Sequence, residues 1–181
     1  GLVGSTTIGS GATISPGNSP GELTINGDLT WGGGGSYDWE ILSLADGAGT
    51  GWDLITVGDE LLFSSLSSPN KFNINLFSLS GANTAGALAN FNYATNYSWK
   101  ILAASNNIAG FNAGNFNLST GGFTAYNNLH GGFFSIAVDG GDLNLLYSPS
   151  SAVPEPGTWV AGLLLVVAST LIVRQRKSSL A

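Results

Sequence analysis

The chain has 181 residues, with eleven acids against five Lys and Arg, a single His and a formal net charge of −6. Cys and Met are both absent, which excludes disulfide staples, Cys–His nucleophile pairs and thiolate zinc sites. Every acid precedes Thr158, and before that point the only cations are Lys71 and Lys100, so an acidic, arginine-free body excludes nucleic acid as a partner.

In chain order, the first legible segment is Ser15-Pro16-Gly17-Asn18-Ser19-Pro20-Gly21, a turn-rich stretch that leads into strands at residues 21–25 and 28–31. The Asn26-Gly27 dipeptide between them reads as a turn. Short strands broken at small residues are what a β-solenoid coil requires, because each coil buries its inner face only by stacking on the next. Residues 8–31 resemble the autotransporter-associated β-strand repeat, whose pattern includes a similar Pro-Gly-Asn-Ser-Pro-Gly followed by Leu-Thr-Ile/Val-Asn-Gly. Residues 1–35 are accordingly expected to form short solenoid-like coils, ending at Gly32-Gly33-Gly34-Gly35. That glycine run lacks a following Lys-Ser/Thr and any dinucleotide fingerprint, and reads as a flexible turn rather than a phosphate cradle.

Residues 36–148 continue in the same all-β vein, with longer strands that favour a sandwich-like or capping sheet. In residues 36–42, Tyr37, Trp39 and Ile41 share one face while Asp38 and Glu40 share the other. Strands follow at 52–57, 60–63, 71–79, where Phe72, Ile74 and Leu76 oppose Asn73 and Asn75, and 97–103. Phe134, Ile136 and Val138 form an apolar face, then Asp139-Gly140-Gly141-Asp142 leads into Leu143, Leu145 and Tyr147, a strong hairpin signal.

Chemistry-bearing residues in this body are sparse. His130, the single histidine, lies in a turn at Asn127–Gly132, and no Gly-x-Ser-x-Gly elbow is present to build a triad around it. Asp38/Glu40 and Asp59/Glu60 are the acid pairs available for glycoside cleavage; the first pair lies about 7 Å apart along one strand face. Alternating acids are equally the solvent face of a half-buried strand. Asp28, Asp46, Asp139 and Asp142 sit near turns that could offer oxygens to calcium, although no helix-loop-helix or glycine-aspartate nonapeptide pattern accompanies them. Trp31, Trp39, Trp52 and Trp99, with Tyr37, Tyr93, Tyr97 and Tyr126, could stack on sugars if several were exposed on one face, but are expected in the core. No catalytic residue, metal or cofactor is assigned, and the expectation is a non-enzymatic protein.

The C-terminus is the most specific part. Val153-Pro154-Glu155-Pro156 lies in a linker, residues 149–157, ahead of an uncharged, proline-free apolar run from Thr158 to Val173. As a helix this run would extend roughly 24 Å, short of a hydrocarbon core of about 30 Å. Trp159 suits one interface, and Arg174, Arg176 and Lys177 in the tail 174–181 form a positive-inside anchor that puts the body outside the cytoplasm. Residues 158–173 are therefore expected to be a transmembrane helix. The chain begins at Gly1 with neither an initiator Met nor a secretory apolar stretch, so an export signal is expected upstream.

These three parts, in this order, resemble the PEP-CTERM sorting signal. The resemblance implies export across the inner membrane of a Gram-negative-type bacterium and processing by an exosortase near Val153, Pro154, Glu155 and Pro156. It further implies transfer to the cell envelope or extracellular matrix, with an adhesive or structural role and an exopolysaccharide as a further partner. The alternative function is a carbohydrate-binding or carbohydrate-cleaving surface module, which needs exposed Trp and Tyr beside Asp38 and Glu40.

Overall fold

Period-two alternation becomes a sheet most visibly at Ser36–Ile41, where Tyr37, Trp39 and Ile41 are fully buried and Ser36, Asp38 and Glu40 are half-buried on the opposite side. This strand belongs to a computed structural model that describes residues 1–150. The expected sorting motif at 153–156, the apolar run 158–173 and the cations Arg174, Arg176 and Lys177 lie outside the described residues. Among the described residues no helix is long and apolar enough to cross a membrane.

The described chain is mostly β. Its first strands are β1 (Leu2–Ile8), β2 (Thr13–Ile14), β3 (Glu22–Gly32), β4 (Ser36–Ile41), β5 (Leu54–Val57) and β6 (Leu61–Ser64). They are followed by β7 (Phe72–Gly81), β8 (Thr84–Ala85), β9 (Tyr97–Ala104), β10 (Phe116–Ser119), β11 (Phe133–Asp139) and β12 (Asp142–Ser148). One sheet runs β1-β3-β5-β9-β12-β11, with β6 also paired to β3; the other runs β10-β7-β4-β2, with β8 paired to β7. From β1 to β5 the strands alternate between the two sheets; β6 stays in the first, β7 and β8 lie in the second, and the chain then crosses to the first for β9, to the second for β10 and back for β11 and β12. Pairing is parallel throughout β1, β3, β5, β6 and β9, and throughout β2, β4, β7 and β10. Parallel neighbours need a crossover connection, usually a helix. Here the crossover is a strand of the other sheet, which explains how a helix-poor chain builds parallel sheets.

The apolar faces of both sheets share one core. Trp31 of β3 stacks on Phe72 of β7 with ring centroids 4.4 Å apart and planes 4° apart, and Phe116 of β10 meets both edge-on. Trp39 of β4 lies 5.9 Å from Trp99 of β9, and the buried Tyr37 hydroxyl donates to Ile101 O at 3.2 Å. The expected hairpin forms, with Asp139 opposite Asp142 and Gly140 at φ 60°, and its second strand lies antiparallel to β9.

Two sequence expectations change at the corners. Asn26-Gly27 does not reverse the chain: β3 runs through it from Glu22 to Gly32, with a bulge against β1 and Gly27 at φ 129°. Neighbouring segments follow the same bend, since Gly58 N donates to Ile25 O, Leu29 N to Glu60 O and Leu61 N to Asn107 O. Side chains continue this ladder: Asp28 N donates to Ser5 Oγ, Glu60 N to Asp28 Oδ1, and the Asn106 amide to Asp59. The Gly32–Gly35 run is likewise a stacked corner rather than a loose turn. Gly11 N donates to Gly34 O and Gly34 N to Lys71 O, and a Cβ on Gly35 would lie 2.6 Å from Ile8 O and 2.9 Å from the Phe72 ring. Glycine is needed there because successive layers meet backbone to backbone.

A one-turn helix, α1 (Gly121–Thr124), packs over β7 against its local propensity. Phe123, fully buried, holds it edge-on to Phe91 and Phe134, and a Cβ on Gly122 would meet the Phe77 ring.

Candidate functional site

Of the side chains singled out for chemistry, Asp38 and Glu40 fall on the outer face of the smaller sheet. In the register of β4 and β7, Ser36 faces Asn73, Asp38 faces Asn75 and Glu40 faces Phe77. Asn75 Nδ2 donates to Asp38 Oδ1 at 2.6 Å, Asn73 Nδ2 to Gly35 O at 3.2 Å, and Asn117 Nδ2 to Asn73 Oδ1 at 3.1 Å. Parallel, near in-register strands bring like positions alongside one another, so polar side chains pair across the ladder. Burial, aided by the charge of Asp38, raises the Glu40 carboxyl above its ordinary range.

Behind this face lies Asp53, which is fully buried. Its carboxylate accepts Gly21 N at 2.7 Å through Oδ1 and Glu40 N at 2.9 Å through Oδ2. Its main chain closes the knot, with the N–H donating to Glu40 O and the carbonyl accepting Trp39 Nε1, both at 3.0 Å. Asp53 thus ties the entry of β3, the middle of β4 and the approach to β5. Burial pushes its carboxyl up to about 7; the two backbone N–H donors pull downward and the Glu40 charge pushes further up. Sequence reasoning missed this residue, although a signal for it existed: in the strand expected at 52–57, Asp53 shares the face of Ile55 and Val57, which marks an inward-facing acid.

The aromatic residues do not form a platform beside Asp38 and Glu40. Tyr37 and Trp39 point to the other face of β4, and Trp31, Tyr37 and Trp39 are fully buried with Trp99 nearly so. Trp52 is half-buried, its Nε1 donating to Lys100 O at 2.9 Å. The remaining acids are dispersed. Asp28 and Asp59 serve the bent corner, Asp46 is exposed in a loop, Asp139 opens the hairpin, and Asp142 pairs with Lys100 at 2.6 Å. Among the described residues no three of His, Asp and Glu gather as a metal site. His130 sits in the expected turn at φ 48°, exposed, with its N–H donating to Asn128 Oδ1 at 2.8 Å.

Comparison with known protein families, curated proteins and solved structures finds no match to this chain.

Proposed function

We propose that this chain is an exported, non-enzymatic envelope or matrix protein, whose body is a short β-solenoid closed on one side by the β11–β12 hairpin. The observation that carries the reading is the repeated passage of the chain between two sheets from β1 to β10, with parallel pairing in both apart from the short β7–β8 pair. Such stacking makes a rigid spacer, and the polar side chains best placed for chemistry are engaged in stitching layer to layer. Burial of Trp31, Tyr37, Trp39 and Trp99 and dispersal of the acids weigh against a sugar-cleaving face at Asp38 and Glu40.

The address is read from the C-terminal sequence. Val153, Pro154, Glu155 and Pro156 form the processing motif for an exosortase, Thr158–Val173 the membrane segment, and Arg174, Arg176 and Lys177 the cytoplasmic anchor. An exopolysaccharide of the matrix is the partner that suits such a destination. Replacing Leu164 and Val167 with Asp tests this, since a charge at a bilayer centre costs about 3 kcal/mol or more. The expected result is loss of membrane targeting with unchanged unfolding of the body. Loss of the body's fold would instead make the tail part of a core.

A further inference from the structure

A second surface, away from Asp38 and Glu40, has the features that the outer β4 face lacks. From Thr124 in α1 to Gly131 the chain lines a shallow, open cleft of about 490 Å³. Tyr126 lines it and is 49% exposed; His130 lines it and packs its ring on Tyr93, itself 46% exposed, with centroids 3.9 Å apart and planes tilted by 32°. Among the described residues Phe133 is the one other large aromatic side chain that is exposed.

The cleft is held by buried polar groups. Asn127 is nearly fully buried; its Oδ1 accepts Leu88 N at 2.9 Å and its Nδ2 donates to Ser78 Oγ at 2.7 Å and Phe123 O at 3.0 Å. The Tyr147 hydroxyl lies 2.9 Å from Tyr93 O and 3.0 Å from Leu129 O, so its proton is shared between the two loops that carry the ring pair. His130 and Gly131 both take positive φ, at 48° and 84°. For a histidine this left-handed backbone is uncommon, and it is what turns the imidazole onto Tyr93.

From this arrangement we infer that the cleft binds a neutral saccharide ring, with Tyr126 and the Tyr93–His130 pair supplying apolar faces and Asn128, Thr124 and the imidazole supplying hydrogen bonds. Tyr combines a flat apolar face with a polar tip at low entropic cost, which suits a sugar's alternation of CH faces and hydroxyls. Neutrality follows from charge: the lining from Thr124 to Gly131 carries no Asp, Glu, Lys or Arg, and a body whose only cations are Lys71 and Lys100 repels polyanions. The site does not depend on the C-terminal address; it would bind whether or not the chain is exported.

The test uses the one histidine as its reporter, since His130 alone gives imidazole resonances. Full-length isotopically labelled chain, in a detergent without a sugar headgroup, is titrated with cellohexaose, maltohexaose, chitohexaose and an oligogalacturonate into the millimolar range. The expected result is a saturable shift of the His130 signals with at least one neutral oligosaccharide and none with the acidic one. Tyr126→Ala weakens that binding about tenfold, whereas Tyr126→Phe keeps it within about twofold. The unfolding midpoint stays put because Tyr126 is exposed. Silence with all three neutral sugars, equal binding of the oligogalacturonate, or undiminished binding by Tyr126→Ala each overturns the inference.

Discussion

Asp53→Ala is the substitution that most sharply tests how the body is held together. It removes the acceptor for Gly21 N and Glu40 N, at 2.7 and 2.9 Å, and leaves two main-chain donors facing a protein interior. A stranded donor costs about 1–3 kcal/mol, so the pair should cost about 2–6 kcal/mol, a large share of a typical stability of about 5–15 kcal/mol. The comparison is cleanest near pH 3, where the carboxyl, raised to about 7 in the folded state and near 4 in the unfolded chain, carries its proton in both, so charge desolvation and proton linkage drop out. Urea unfolding followed by tryptophan fluorescence reads the change, since Trp39 donates to the Asp53 carbonyl. The pH dependence has a definite sign. Between the ordinary carboxylate range near 4 and about 7, the folded state holds a proton that the unfolded chain has lost. Stability contributed by this group is therefore full at the acid end and falls as pH rises toward 7, at up to about 1.4 kcal/mol per pH unit. Asp53→Asn should flatten that slope. An Asp53→Ala protein within about 0.5 kcal/mol of the parent at pH 3, or an unchanged slope in Asp53→Asn, would refute the reasoning.

Gly35→Ala should destabilise the body by about 1–3 kcal/mol in the same assay, because its Cβ would press on Ile8 O at 2.6 Å and on the Phe72 ring. Trp39→Phe should cost about 1 kcal/mol more than Trp31→Phe: both shrink a fully buried ring, but Trp39 Nε1 donates to Asp53 O whereas Trp31 Nε1 has no hydrogen-bond partner. Lys100→Ala, by contrast, should lower stability by less than about 1 kcal/mol, since its pairing with Asp142 is solvent-exposed and screened by salt.

The strands with one buried face were the easily legible ones. Tyr37, Trp39 and Ile41, like Leu143, Leu145 and Tyr147, announce their inward faces by alternation, and the structure buries all six. Strand β1 was not foreseen because it has little pattern to read: Leu2 and Val3 are exposed, and the strand owes its conformation to parallel pairing with β3. Likewise α1 exists through burial of Phe123 rather than through the helix propensity of Gly121 and Gly122. Asn26-Gly27 carried a true signal of positive φ but a misleading one of chain reversal, since parallel neighbours on both sides keep the strand moving forward. Of the candidate sites, Asp38 and Glu40 were correctly placed together on one face. The Tyr93–His130 pairing was invisible, because it joins two loops through the Tyr147 hydroxyl, a contact that local sequence does not encode.

Delivery of the body by a removable C-terminal address is proposed from residues 153–177. Fractionation of the native host, followed by mass spectrometry of the C-terminal peptide, tests it most directly. The account predicts a protein in the envelope or the surrounding medium whose chain ends near Val153–Gly157 and lacks Arg174, Arg176 and Lys177. An intact chain that remains in the cytoplasm with those three cations attached would contradict it.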